Sequence, residues 1–259
     1  MDLELSNKRV VVTGGSKGIG LDVALSFARE GAIPTLVGRS AATLDKAAAP
    51  IEQQTGIAAQ TLALDLATAD GVAGLVVAAG DTDILVNNAG AIPGGSLDDI
   101  DDQTWRKAWE LKVYGYINLV RALLPRMEQR GSGIIVNIIG MAGAAPRSNY
   151  ICGSTANAAL IAFTQAVGAA SPAHGVRVFG INPSLTRSDR METLLRAQAA
   201  RSLGDAERWR ELTEGLPFGR PIEPREIADL AVFACSARAA YLTGTVFNVD
   251  GGQLYASPP

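Results

Sequence analysis

Short unbroken apolar runs alternate with longer Ala- and Leu-rich segments along almost the whole chain of 259 residues. RVVVTG (9–14), IPTLVG (33–38), AQTLAL (59–64), DILVNNAG (83–90), GIIVNII (133–139), VRVFGIN (176–182) and TVFNVD (245–250) are rich in Val and Ile. They lack polar alternation, the mark of strands covered on both faces. Between them, segments such as 19–30, 104–130 and 156–170 carry apolar residues at helical spacing. Strand–helix alternation from end to end predicts an α/β fold: one doubly wound, Rossmann-type parallel sheet in a single domain over 1–259. One stretch breaks the alternation. Residues 182–217 are polar and helical in pattern and begin just past the carboxyl end of a strand, where ligands bind in such folds. An excursion of that length predicts a helical substrate lid over about 184–217.

Charge and cysteine content narrow the function classes. The net charge of −3, with no long run of one sign, argues against bulk nucleic-acid or anionic-membrane binding. Cys152 and Cys235 are too few for a disulfide scaffold and show no zinc-ligand spacing. Buried thiols in a reducing compartment are expected, and no metal site. The opening MDLELSNKRVVV lacks the basic-then-apolar layout of a signal peptide, and no apolar run approaches the ~20 residues of a membrane span. A cytoplasmic location is expected.

The chemistry starts at VVTGGSKGIG (11–20), between the first strand and the first helix. Gly14 and Gly18 allow a tight turn, and Gly20 lets the helix pack close to the sheet. The free N–H groups at the helix start, around Ser16, Lys17 and Ile19, can then hold a pyrophosphate.

With these residues the chain resembles the short-chain dehydrogenase/reductase family. Its pattern T-G-x-x-x-G-x-G is met by Thr13, Gly14, Gly18 and Gly20. NNAG (87–90), GVRVFGINPS and VDGG (249–252) are similar to its later landmarks, in the same order across nearly the whole chain. The resemblance implies dinucleotide contacts at Asp65 and Leu66 (adenine), at Asn88, Ala89 and Gly90 (ribose), and at Pro183 and Ser188 (nicotinamide). Asn157, at a ribose-binding position of the family, joins that set. NAD-preferring members carry an acid at the end of strand two; here Gly38 stands there, followed by Arg39, with Lys17 in the glycine turn. Two cations and no carboxylate favour NADP(H) over NAD(H).

The family also implies a catalytic set of Asn, Ser, Tyr and Lys, in which Tyr handles the proton and Ser polarises the carbonyl. Taking Tyr150 as the Tyr puts Ser154 at the Lys position and Asn137 at the Ser position. Aligning the helix TANAALIAFTQAV instead puts Asn157 at the Lys position, Gly153 at Tyr, Gly140 at Ser and Lys112 at Asn. The second register needs no gap from NNAG to the glycine before strand six, and is preferred. All four positions are then changed, with Lys and Asn exchanged between two of them. A relocated acid/base pair, Lys112 with Tyr150, is expected; the competing reading is a structural Lys112 pairing with a helix carbonyl or carboxylate, with Tyr150 lining the pocket.

Two functions follow. One is an NADP(H)-dependent oxidoreductase acting on an alcohol or carbonyl small molecule with a non-standard acid/base group. The other is a dinucleotide-binding protein without redox turnover: a sensor, an assembly subunit or a protein of non-redox chemistry. The resemblance further implies a homo-oligomer, dimer or tetramer, and Leu194, Leu195, Leu212, Leu216 and Phe218 of the lid hint at an apolar substrate. His174 reads as a solvated turn residue, Trp105, Trp109 and Trp209 as packing anchors, and Asp98, Asp99, Asp101 and Asp102 as a solvated helix start.

Overall fold

A computed structural model describes residues 1–256, apart from the side chain of Arg190. The apolar runs form seven strands: β1 (Arg9–Thr13), β2 (Ile33–Gly38), β3 (Gln60–Ala63), β4 (Ile84–Asn87), β5 (Gly133–Ile138), β6 (Val176–Pro183) and β7 (Val246–Val249). All pair in parallel in one sheet of order β3-β2-β1-β4-β5-β6-β7. The order reverses between β1 and β4, so their carboxyl ends open the crevice in which such sheets bind ligands.

Alternate residues of each strand feed two cores. On one face Val10, Val12, Leu36, Ile84 and Phe179 pack under α1 (Gly18–Arg29), α2 (Ala41–Thr55) and α8 (Pro224–Cys235). On the other, Val11, Leu85, Ile135 and Val178 pack under α3 (Ala69–Ala79), α5 (Gly115–Arg130) and α6 (Ile151–Ala170). The segment read as one helix over 104–130 is α4 (Asp102–Trp109) running into α5 through a π turn at Glu110–Tyr114. Asp101 caps its start, its carboxylate accepting from Thr104 N–H at 2.7 Å. That bond holds the Asp101 pKa below the usual carboxylate range.

The stretch after β6 folds as α7 (Asp189–Ser202) and a 3-10 segment, Ala206–Thr213. Met191, Leu195, Ala199 and Trp209 form a small core of their own there, with Leu185, Leu203 and Leu212 against it. Leu195 and Leu212 therefore face into the excursion rather than toward a substrate, and Leu194 is exposed. That corrects the apolar-substrate hint for Leu195 and Leu212. Both cysteines are free and buried. Burial pushes the Cys235 thiol up to about 12, so it stays protonated. His174 is exposed. Among the described residues no helix is long and apolar enough to cross a membrane, and no cluster suited to a metal ion is found.

One residue ties the far edge of the sheet together. Arg177 on β6 donates to the carbonyls of Ala234, Ala239 and Leu242 through Nη1, and of Cys235 and Ser236 through Nη2. The carbonyls of Ala234, Cys235 and Ser236 lie at the C-terminal end of α8, where carbonyls lack intrahelical partners; those of Ala239 and Leu242 belong to the turn that follows. Arg177→Met is expected to destabilise the fold by about 2–3 kcal/mol, the scale of hydrogen bonds from a charged donor. A urea midpoint unchanged from wild type would contradict this.

Candidate active site

The glycine turn is built for close approach. Gly14 has φ +65, and a Cβ on Gly20 would lie 2.4 Å from the Gly14 carbonyl oxygen. Asn88 clamps the turn from β4: its amide donates to the carbonyls of Thr13 (3.0 Å) and Gly14 (3.2 Å). The Thr13 hydroxyl accepts from the N–H groups of Asn88 and Ala89. The Nδ2 of Asn88 is thus committed to the turn. Lys17 stands at the N-cap of α1 with no side-chain cap, leaving the helix N–H groups presented to the crevice. Lys17 and Arg39 are exposed at its rim. Asp65 is exposed after β3, its carboxylate accepting from Ala67 N–H, and Leu66 is buried beside it. Ser188 accepts from Met191 N–H as the N-cap of α7. These features fit a phosphate-bearing dinucleotide: a cradle that a Cβ would fill, an uncapped helix start and two cations.

At the carboxyl ends of β4 and β5 and in the first turn of α6, three glycines are overlaid by side chains of other residues. The stem of Lys112 crosses Gly90, its Cδ 2.8 Å from where a Cβ there would lie. The Tyr150 ring covers Gly153, with Cε1 at 2.0 Å and Cζ at 2.1 Å from the position of a Cβ. The Asn157 carboxamide covers Gly140, Nδ2 at 2.8 Å. The space that side chains at 140 and 153 would occupy is therefore already filled.

Lys112 is 7% exposed. Its ammonium donates to the Ile138 carbonyl at 2.7 Å and to the Tyr116 hydroxyl at 3.0 Å, and the Tyr116 hydroxyl donates in turn to Ile138. Burial raises the Tyr116 phenol well above its ordinary value, so it remains a donor at neutral pH. The π turn places Lys112 in this position; such turns recur at functional sites. Sequence reasoning overlooked Tyr116, although the spacing i, i+4 in KVYGY places it over Lys112.

Tyr150 precedes α6. A parallel bridge to Gly95 fixes its backbone: Gly95 N–H donates to Asn149, and Ile151 N–H to Gly95. Its ring joins the apolar cluster built on Ile92, Ala108, Val113, Cys152 and Ala156, to which Trp105 and Trp109 also belong. The residues of the other register have structural partners. Asn137 lies within the sheet, accepting from Asn87 (2.9 Å) and donating to Thr164 (2.9 Å). The Ser154 hydroxyl accepts from Arg147 N–H at 2.9 Å.

Beside β7, Leu216 and Phe218 line a cavity of about 340 Å³ with Ser184, Leu185, Val249 and Gly251. Phe218 sits in the left-handed region at φ +56 and is largely exposed.

Comparison with known proteins agrees with this geometry. Residues 8–199 match the family described as short chain dehydrogenase. The chain is 33% identical over 252 residues to 2-keto-3-deoxy-L-fuconate dehydrogenase of Xanthomonas campestris, covering 96% of this chain and 80% of that one. It is 35% identical over 247 residues to galactitol 2-dehydrogenase (L-tagatose-forming) of Cereibacter sphaeroides, covering 93% and 92%. L-sorbose reductase of Gluconobacter frateurii, solved with NADPH and L-sorbose, superposes with a TM-score of 0.92 at 33% identity, covering 99% of this chain and all of that one.

Proposed function

The chain belongs to the short-chain dehydrogenase family of oxidoreductases acting on alcohol and keto substrates, and from that premise we propose that it is an NADPH-dependent reductase of polyhydroxylated ketones in which Tyr150 replaces the missing acid at position 153. The observation that carries this reading is the Tyr150 ring lying over Gly153, where a side chain at 153 would begin. A phenol thus still reaches the space in which the family's proton chemistry takes place.

NADPH, when bound, supplies the hydride that reduces the carbonyl carbon. The electron pair leaving the C=O bond collects on the oxygen, which takes the Tyr150 phenolic proton. The products are an alcohol, NADP+ and a tyrosinate that water reprotonates. Gly14, Gly18 and Gly20 with the start of α1 would hold the pyrophosphate, and Lys17 and Arg39 the 2′-phosphate. Asp65 and Leu66 would flank the adenine; Ala89, Gly90 and Pro183 would border the ribose and nicotinamide. Lys112, paired with the Ile138 carbonyl and Tyr116, would add a fixed positive charge beside Gly90 and favour the developing tyrosinate.

The substrate class rests on the sugar-like substrates named for the fuconate, galactitol and sorbose relatives. A panel of L-sorbose, L-tagatose and an unfunctionalised aliphatic ketone of equal length tests it. NADPH oxidation is expected to be at least about tenfold faster with a keto sugar, the worth of one or two hydrogen bonds to substrate hydroxyls. Preference for the aliphatic ketone would overturn the substrate assignment. A homo-oligomer is part of the same reading, supported by the exposed small residues Ala158, Ala162 and Ala166 along α6. A monomer in sedimentation velocity would remove it.

A second reading, cofactor binding without turnover, is favoured by the glycines at 140 and 153, which offer no side-chain donor of their own.

A further inference from the structure

Asn157 is 4% exposed. Among the described residues no hydrogen bond reaches its carboxamide, and an amide this enclosed is costly to leave unpaired. The sealed, unpartnered polar atoms of the described residues are Asn87 Oδ1, Ser171 Oγ and Trp209 Nε1. The Asn157 amide is not among these, so it opens on reachable space. Its donor end leads: Nδ2 lies 2.8 Å from where a Cβ on Gly140 would be, and Oδ1 3.8 Å. The Gly140 N–H is committed to Asn182 Oδ1 at 3.3 Å, leaving Asn157 as the donor at that point. One helical turn earlier on the same face is Gly153, under the Tyr150 ring. The amide of Asn157 and the ring of Tyr150 therefore sit over two adjacent turns of one helix.

We propose that Asn157 is a catalytic residue whose Nδ2 donates a hydrogen bond to the substrate carbonyl oxygen, supplying the polarising donor that Gly140 lacks. This rests on the reading of the site as a reductase. In the reduction described above, the electron pair arriving on the oxygen is met by the Asn157 N–H while Tyr150 delivers its proton there. An amide held unpaired before substrate arrives has no competing bond to break, so its effect is largest when negative charge develops.

The test compares wild type with Asn157→Ala and with the near-isosteric Asn157→Asp, which keeps the shape and removes the donor. Calorimetry measures NADPH affinity. Isotope-edited infrared reads the carbonyl band of [2-13C]dihydroxyacetone bound with NADP+, and NADPH oxidation with L-sorbose gives kcat. The proposal expects NADPH affinity within about twofold of wild type, a carbonyl band at lower frequency in wild type than in either variant, and kcat reduced by roughly 10²–10³. Should Asn157→Ala fail to fold, Asn157→Asp carries the comparison. A carbonyl band equal in wild type and variants overturns the assignment, whatever the rates do. So does an NADPH affinity lowered tenfold with the band unmoved, which would place Asn157 on the cofactor. Wild type that shifts the carbonyl band yet oxidises NADPH with no keto sugar upholds the donor and defeats the reductase reading instead.

Discussion

Tyr150→Phe is expected to lower kcat for ketone reduction by about 10²–10⁴, the usual worth of a positioned general acid, while NADPH affinity stays at the wild-type value. The substitution removes one oxygen and keeps the ring, so the cover over Gly153 and the ring's place in the apolar cluster around Cys152 survive. The backbone of residue 150 is held by the bridge to Gly95, which the side chain does not touch. A fall in turnover without a fall in stability therefore reads the hydroxyl alone. Steady-state kinetics beside a thermal melt make the measurement. An unchanged kcat would mean that the phenol only lines the pocket and that the proton comes from elsewhere.

Arg39→Asp should weaken NADPH binding by roughly 100-fold and leave NADH binding nearly unchanged. The loss corresponds to one or two charge-assisted bonds to the 2′-phosphate, with a carboxylate now facing it. Arg39 directly follows β2, is exposed, and has no acid before it, since position 38 is glycine. Calorimetric titration of wild type and variant with both nucleotides decides the matter. Equal affinities of wild type for NADPH and NADH would show that Arg39 and Lys17 are solvated charges with no part in selection.

Much of this was legible because the features in question are local. The seven apolar runs became the seven strands with ends shifted by a few residues, since strands covered on both faces are built mainly of Val, Ile and Leu. The glycine turn and its place between β1 and α1 were equally plain, because T-G-x-x-x-G-x-G needs only its own backbone. What the sequence concealed depends on contacts across the fold. Nothing in WELKVYGY announces a π turn, which sets the rotation of Lys112 relative to Gly90 and Ile138. Nothing in NNAG shows that the Asn88 Nδ2 ties the glycine turn down through the Thr13 and Gly14 carbonyls. Leu195 and Leu212 were read as facing a substrate, but a 3-10 segment after α7 gives them Trp209 to pack on. Above all, a glycine in a sequence shows only that a side chain is missing. That Tyr150 and Asn157 stand over Gly153 and Gly140 appears only when the loop before α6 and the end of β5 are brought together.

The central proposal is that redox turnover persists although the family resemblance puts Gly140, Gly153 and Asn157 at the Ser, Tyr and Lys positions. Its most direct test is to mix the wild-type protein with NADPH deuterated at one face of the nicotinamide C4 and with L-sorbose, and to analyse the alcohol formed. The account predicts deuterium in the product from one labelled face and none from the other, as expected when the fold holds nicotinamide and ketone in a fixed relation. Bound NADPH that delivers no deuterium to L-sorbose or L-tagatose from either face would contradict it, and would leave a protein that binds the dinucleotide without using it.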